Sequence, residues 1–90
     1  MLIEFDTDKS NKTLAERGLD FAYAVDIFAG PVMTLQDQRQ DYGEPRFITF
    51  GWLSLHLVAM VWTPHGAARR IISMRYANER EIAKHARRLV

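Results

Sequence analysis

Residues 55–63 form a predicted β-strand that is apolar on both of its faces. Side chains of a strand alternate between two faces, and the two sets here are Leu55, Leu57, Ala59 and Val61, and His56, Val58, Met60 and Trp62. A strand with two apolar faces is typical of the centre of a sheet that is covered on both sides. The segments around it must therefore supply neighbouring strands and covering helices.

The flanking segments predict the element order βααββββα. Strand patterns occur at residues 2–5, 32–36, 46–52, 55–63 and 69–75, with turn-forming residues or helical patterns between them. Asp6, Asp20 and Asn78 each precede a helical pattern as N-cap residues, and Gly18 follows the first helix as a left-handed C-cap. The predicted fold is α+β, with an antiparallel sheet of about four to five strands, two N-terminal helices and one C-terminal helix.

Apolar stripes predict which side of two helices faces the core. In the second helix the stripe consists of Phe21, Ala24, Val25 and Phe28, and in the third of Ile82, Ala86 and Leu89. Both follow the three- and four-residue spacing of a helix face. Glu81 lies three residues after Asn78, which is the spacing of a capping box.

Size and composition limit the class of protein. The chain has 90 residues, of which 48% are apolar and 26% charged, so we expect a single globular domain over residues 1–90. The absence of cysteine excludes disulfides and thiolate zinc sites, and the three histidines lack a metal-binding spacing. We therefore predict no metal and no cofactor. No transmembrane or signal segment is visible, so we expect a cytoplasmic protein without membrane contact.

The net charge of +1 hides an uneven distribution of charge along the chain. Residues 1–44 contain nine acidic against four basic side chains, whereas residues 69–90 contain seven basic against two acidic ones. Either the two halves pair with each other, or a basic surface is free to bind a nucleic acid or an acidic protein. Charge alone leaves both interpretations open.

Arginine is concentrated in the predicted strand at residues 69–75. Arg69, Arg70 and Arg75 take three of its seven positions, and a guanidinium group keeps its charge and matches the geometry of phosphate. In a regular strand Arg69, Ser73 and Arg75 share one face and Arg70 lies on the other. Only one of Arg70 and Arg75 would then face a common cleft, unless a β-bulge intervenes. We expect Arg75 in the cleft, with Arg70 either structural or brought there by a bulge.

Cleavage of an RNA phosphodiester is one reaction that such side chains suit, because it needs cations for the phosphorane and groups that move protons. The cationic candidates are Arg46, Arg70 and Arg75, with Lys9 and Arg39 as helpers. The proton-transfer candidates are Glu44, Tyr42, His65 and His56. Structural roles are open alternatives: His65 as a solvated turn residue, Glu44 as a local partner of Arg46, and Ser73 as a structural hydroxyl.

Several of these segments together resemble the BrnT family of bacterial toxins. The most specific part is Arg70-Ile71-Ile72-Ser73-Met74-Arg75 followed by Asn78-Glu79-Arg80-Glu81, with support from Asp6-Thr7-Asp8-Lys9 and Tyr42-Gly43-Glu44-Pro45-Arg46. The resemblance implies a RelE-like endoribonuclease that cuts RNA, free or on the ribosome, and inhibits translation. It also implies a cognate BrnA-like antitoxin of the ribbon-helix-helix class, with operator DNA reached only through that antitoxin.

The resemblance and the arginine pattern together give a set of expected site residues. Those expected to be catalytic are Arg75, Arg46, Glu44 and Arg70. Those expected to bind substrate are Lys9, Arg39, Tyr42, Arg69, Ser73 and Arg80. Many family members carry a histidine where this chain has Gln40, so the resemblance supplies no histidine general base in this loop. The alternative function is a non-catalytic protein- or nucleic-acid-binding module of the same fold.

Overall fold

The computed structural model describes all 90 residues, and its elements follow the predicted order. The helices are α1 (Thr7–Arg17), α2 (Ala24–Ala29) and α3 (Glu79–His85), with 3₁₀ turns at Phe21–Tyr23 and Ala86–Arg88. The strands are β1 (Leu2–Phe5), β2 (Val32–Gln36), β3 (Phe47–Leu53), β4 (His56–His65) and β5 (Ala68–Tyr76). The α+β class is confirmed. None of the helices combines the length and the apolar character needed to cross a membrane.

The five strands form one mixed sheet in the order β1-β5-β4-β3-β2. Strands β2 to β5 are an antiparallel meander, whereas β1 runs parallel to β5. The prediction of a wholly antiparallel sheet is therefore wrong for β1. Two helices separate β1 from β2, so β1 does not form a hairpin with the strand that follows it and pairs instead with the last strand.

Local sequence signals set the helix ends as predicted. Asp6 Oδ1 accepts hydrogen bonds from the backbone N–H groups of Asp8 and Lys9, at 2.9 and 3.2 Å, and Gly18 ends α1 in the left-handed region with φ 74°. At α3, Asn78 and Glu81 form a reciprocal capping box. These contacts satisfy backbone groups that have no partner within a helix.

Strand β4 lies at the centre of the sheet and is buried on both sides, as its sequence predicts. One side of the sheet, here called the helix face, packs against α2 and the turn before it through ten buried apolar residues. Phe21, Ile27, Met60 and Met74 are among them and are at most 1% exposed. Burial of these side chains supplies most of the apolar contribution to folding.

The other side of the sheet, here called the open face, carries Ile48, Val61 and Ser73 at its middle. Chain segments after β5 cover one end of it, where Leu89 packs with Phe50 in a second, four-residue cluster. All three middle residues remain partly exposed. The open face is therefore the side of the sheet that offers accessible surface.

Two predicted core positions, Val25 and Ile82, are wrong, and at Val25 the reason is a 3₁₀ turn that changes the helical phase. Phe21–Tyr23 forms such a turn before α2, and 3₁₀ geometry advances each residue by more than α-helical geometry does. As a result Val25 is 50% exposed and Ile27 is buried in its place. In α3, Ile82 is 42% exposed, and His85 is buried beside Leu89.

Candidate nucleic-acid site

A β-bulge in β5 decides which side of the sheet its arginines occupy. Trp62 of β4 is paired with Ile71, but the preceding residue Val61 is paired with Ser73, so Ile72 is an extra residue in β5. An extra residue reverses the alternation of all side chains that follow it. Strand β5 is therefore not regular, and of the two predicted arrangements the one with a bulge before Arg75 is present.

The bulge puts Arg70, Ser73 and Arg75 together on the open face. Arg70 is paired with Thr63 and Arg75 with Ala59, and directly paired residues point to the same side of a sheet. Arg70, Ser73 and Arg75 are paired with Thr63, Val61 and Ala59, which follow one another at intervals of two residues along β4. The Cα atoms of Arg70 and Arg75 are therefore roughly 13 Å apart along the strand. Both arginine side chains are about two-fifths exposed, at 41% and 42%. The open face thus presents two accessible guanidinium groups in one line.

Arg69 lies on the opposite side of the sheet from this line. Its guanidinium carbon is 4.5 Å from the ring centroid of Phe28 and 4.9 Å from that of Trp62. These are cation–π distances, so Arg69 packs over the aromatic rings of the helix face. The structure does not bring this predicted substrate-binding residue to Arg70 and Arg75.

Arg75 is held by two hydrogen bonds that it donates to a carboxylate on α3. Its Nη1 and Nη2 donate to the two carboxylate oxygens of Glu81 at 2.7 and 2.9 Å, and Glu81 also accepts from the backbone N–H of Asn78 at 3.0 Å. The bond from Arg75 is the main reason that the pKa of Glu81 falls to about 2. Glu81 therefore joins the start of α3 to β5 and fixes the direction of Arg75.

Arg70 belongs to a second charged cluster, at the edge of the sheet. Its Nη1 donates to Glu4 Oε2 at 2.9 Å, and Glu4 Oε1 lies 2.7 Å from His65 Nδ1. The hydrogen bond with His65 is the largest cause of a lowered pKa at Glu4. An ionised carboxylate accepts only, so His65 donates through Nδ1–H, a tautomer assigned from this contact. Arg70 is bound through one nitrogen, which leaves more donors free than in Arg75.

The loop between β2 and β3 is organised by the buried carboxylate of Asp37. Arg39 donates to it through Nε and Nη2 at 2.9 and 2.8 Å, and the hydroxyl of Tyr42 donates at 3.0 Å. The side-chain bond from Arg39 is the largest cause that lowers the pKa of Asp37 to about 2. The positive charge of Arg39 also opposes the rise in the pKa of Arg75 that Glu81 causes. Arg39 is therefore close enough to Arg75 for the two positive charges to repel each other.

Arg46 lies where this loop joins the sheet. Its guanidinium carbon is 4.2 Å from the ring centroid of Tyr42, its Nη2 is 3.6 Å from Glu44, and its Nε is buried without a hydrogen-bond partner. The hydroxyl of Thr63 donates to the carbonyl of Pro45 at 2.6 Å. Thr63 is paired with Arg70, so only β4 separates the start of β3 from Arg70 on β5.

The loop also lines the one pocket of the protein, which is a polar depression. Its lining includes the carboxylates of Asp37, Asp41 and Glu44 and a single basic residue, Arg46. This excess of negative charge repels phosphate. The pocket is therefore a poorer candidate for an anionic ligand than the open face with its accessible arginines.

Two predicted site residues lie apart from the open-face arginines. Lys9 is on α1, which is tied to the helix face because Arg17 donates to the carbonyl of Met74 at 2.9 Å. Arg80 is exposed on the first turn of α3, one residue from Glu81. Of the predicted set, the structure groups Arg70, Ser73 and Arg75 on the open face, with Arg39, Tyr42, Glu44 and Arg46 in the adjoining loop.

Two acidic partners of the arginines were not predicted as site residues. Glu81 was recognised only as a capping residue, and Glu4 was assigned no role. The contact between Glu4 and Arg70 spans 66 residues of sequence, and no local pattern signals it. For Glu81, the six-residue spacing to Arg75 across the end of β5 was an available signal.

The geometry limits which groups can move protons at neutral pH. Asp37 and Glu81 have pKa values near 2, so they are weak bases. His56 lies against the ring of Tyr76, with ring centroids 5.4 Å apart, at the far end of β4 from Arg70. His85 is buried against Phe50, and burial lowers its pKa. The remaining candidates are Glu44, Tyr42 and His65.

The two lowered carboxyl pKa values predict a loss of stability in acid. Asp37 and Glu81 titrate in the folded state near pH 2, below their ordinary values of 3.8 and 4.5. Their ionised forms therefore stabilise the fold above about pH 5, and this contribution, roughly 2 kcal/mol each, is lost as the pH falls towards 2. Urea unfolding measured at pH 7, 4 and 2.5 should show a falling free energy of unfolding.

Substitution of the two carboxylates tests this origin of the acid sensitivity. The double variant Asp37→Asn, Glu81→Gln should be less stable than the original at pH 7 and lose less stability between pH 7 and 2.5. Glu16→Gln is the matched control, because the Glu16 side chain is 55% exposed, and it should follow the original chain. Equal pH dependence in the double variant and the original chain would contradict the assignment.

The fold and the site together define a class of protein. It is a small α+β protein with two accessible arginines, Arg70 and Arg75, on the open face of its sheet, and no three of its His, Asp or Glu side chains are grouped to hold a metal ion. The chain belongs to the BrnT family: the family model described as "Ribonuclease toxin, BrnT, of type II toxin-antitoxin system" matches residues 5–81. No curated protein matches the chain significantly. Its class at the family level is therefore that of a ribonuclease toxin.

Proposed function

We propose that this chain is an endoribonuclease that cleaves RNA across its open face and thereby inhibits translation in the cytoplasm. The observation that carries the proposal is the alignment of Arg70 and Arg75 on one accessible side of the sheet, in a chain of a ribonuclease toxin family. Side chains on a sheet strand are held rigidly enough to be aimed at a substrate. Arginines in that arrangement suit successive phosphates of an RNA strand.

The two arginines have different parts in the proposed reaction. Arg70 makes a single hydrogen bond to Glu4, so most of its five donors are available for the charge that develops on the phosphorane. Arg75 gives two donors to Glu81 and is better suited to hold a neighbouring phosphate of the bound strand. Ser73 lies between them and is a further candidate for contact with the backbone.

The antitoxin part of the proposal follows from the family. A type II system pairs the toxin with a protein antitoxin, and we propose a BrnA-like ribbon-helix-helix protein that binds this chain and alone contacts operator DNA. Arg80, which is exposed on the first turn of α3, suits an acidic segment of such a partner.

Induced expression of the chain tests the proposal. We expect growth arrest and fragmented transcripts, both relieved when the antitoxin is produced together with the toxin. An Arg70→Met variant expressed to the same soluble level should permit growth. Purified protein should also cut a labelled RNA. Normal growth and intact RNA at good soluble expression of the original chain would contradict cleavage and favour a non-catalytic binding module.

A further inference from the structure

We infer that His65 is the general base of the cleavage reaction, oriented by Glu4 and acting beside Arg70. This inference rests on the proposed RNA cleavage and adds the group that removes the proton from the 2′-hydroxyl. His65 ends β4, in register with Ala68, two residues after Thr63. Because alternate residues of a strand share a face, His65 lies on the open face with Thr63 and Arg70.

The contacts of His65 are those of a positioned base rather than of a free surface histidine. Its Nδ1 is 2.7 Å from Glu4 Oε1. The other oxygen of the same carboxylate accepts a hydrogen bond from Arg70 at 2.9 Å. A carboxylate that binds one ring nitrogen fixes the tautomer and the direction of the imidazole. The second nitrogen, Nε2, makes no hydrogen bond within the protein and belongs to a side chain that is 67% exposed.

The charged groups that form this cluster with His65 come from strands β1 and β5. Glu4 comes from β1, which is parallel to β5, and Arg70 comes from β5 itself. A carboxylate that bridges the two holds a base and a phosphate-binding cation side by side. Neither the loop carboxylates nor Glu81 has a comparable contact with a side chain that exchanges protons near neutral pH.

The proposed step is a transesterification within the RNA. The 2′-oxygen forms a new bond to phosphorus while its proton moves to Nε2 of His65, and the bond from phosphorus to the 5′-oxygen breaks. The leaving 5′-oxygen takes a proton from water, and the resulting hydroxide takes the proton from His65. The products are a 2′,3′-cyclic phosphate and a 5′-hydroxyl end. Arg70 stabilises the negative charge on the phosphorane oxygens during the step.

Single-turnover cleavage of a labelled RNA by the purified chain, followed from pH 5 to pH 9, tests the inference. The rate of the original chain should rise with pH and then level off, because a general base acts only in its unprotonated form. His65→Ala should lower the rate about a hundredfold or more and lose this rise. Added imidazole should restore part of the activity of His65→Ala, which a purely structural role of His65 would not permit.

Two further variants separate the roles in the cluster. Glu4→Gln should lower the rate less than His65→Ala, because it removes the carboxylate that orients the imidazole but leaves the base itself in place. His56→Ala is the matched control: it removes a histidine at the other end of β4, packed on Tyr76, and should behave like the original chain.

The possible failures are distinguishable. If the original chain cuts no RNA at any pH, the proposed function itself fails. If it cuts RNA but His65→Ala keeps the original rate and pH profile, or if imidazole restores nothing to a slow but folded variant, His65 is not the base. A circular dichroism spectrum of each variant shows that it is folded, so that loss of activity is not loss of structure.

Discussion

Replacement of Arg70 by methionine is expected to lower the rate constant of RNA cleavage about a hundredfold or more, with little change in the KM for RNA. Arg70 shares Glu4 with His65 and keeps donors free, so its contribution should be largest where charge develops on phosphorus. Methionine keeps the length of the stem without the guanidinium. Arg70→Lys should recover only part of the rate, because an ammonium group lacks the planar fork.

Arg75→Met is the informative comparison for Arg70→Met. Arg75 gives two of its donors to Glu81, and its Cα lies roughly 13 Å along the strand from that of Arg70, so it is better suited to a neighbouring phosphate than to the reacting one. We therefore expect mainly a higher KM and a salt dependence of RNA binding reduced by about one unit of slope. Steady-state and single-turnover kinetics at several salt concentrations measure both quantities.

Lys12→Met is the control for a lost surface charge. Lys12 is 75% exposed on α1 and makes only a 3.9 Å contact with Glu16, so this variant should cleave RNA like the original chain. Equal effects of Arg70→Met and Arg75→Met on both the rate constant and KM would contradict the separate roles proposed for the two arginines.

Strand β5, which carries three arginines, shows what could be predicted from the sequence and what could not. Composition and alternation located a strand with three arginines and a capped helix after it, and the structure confirms both. Regular alternation could not indicate the extra residue Ile72, because a bulge depends on how β4 pairs with β5. That one residue brings Arg70 and Arg75 to the same face, and the candidate site depends on it.

Local sequence patterns likewise could not predict the parallel pairing of β1 with β5. The sequence predicts a strand at Leu2–Phe5, but the partner of this strand depends on the path of the two helices that separate it from β2. The Glu4, Arg70 and His65 cluster exists only through this pairing. Residues close in sequence, such as Asn78 and Glu81, were predictable because their contact is part of a helix cap.

Removal of the ring of Phe21 should have the largest effect on stability. Phe21 is 1% exposed, belongs to the ten-residue cluster of the helix face, and meets the ring of Phe5 edge-on at a centroid distance of 5.9 Å. Its backbone N–H donates to the hydroxyl of Ser10 at 2.9 Å, so the residue also ties the turn before α2 to α1. The surroundings therefore have little freedom to close a cavity.

We expect Phe21→Ala to lower the free energy of unfolding by about 3 to 5 kcal/mol. A domain of this size has a total of only about 5 to 13 kcal/mol, so Tm should fall by roughly 15 °C or more. Thermal and urea unfolding of Phe21→Ala and Val25→Ala measure the contrast. Val25, predicted from helical spacing to share the buried stripe, is 50% exposed, and Val25→Ala should change stability by no more than about 0.5 kcal/mol. A loss of several kcal/mol of stability in Val25→Ala would show that Val25 is buried, as regular helical spacing predicts. With the 3₁₀ turn before α2, only Phe21→Ala should cause a large loss of stability.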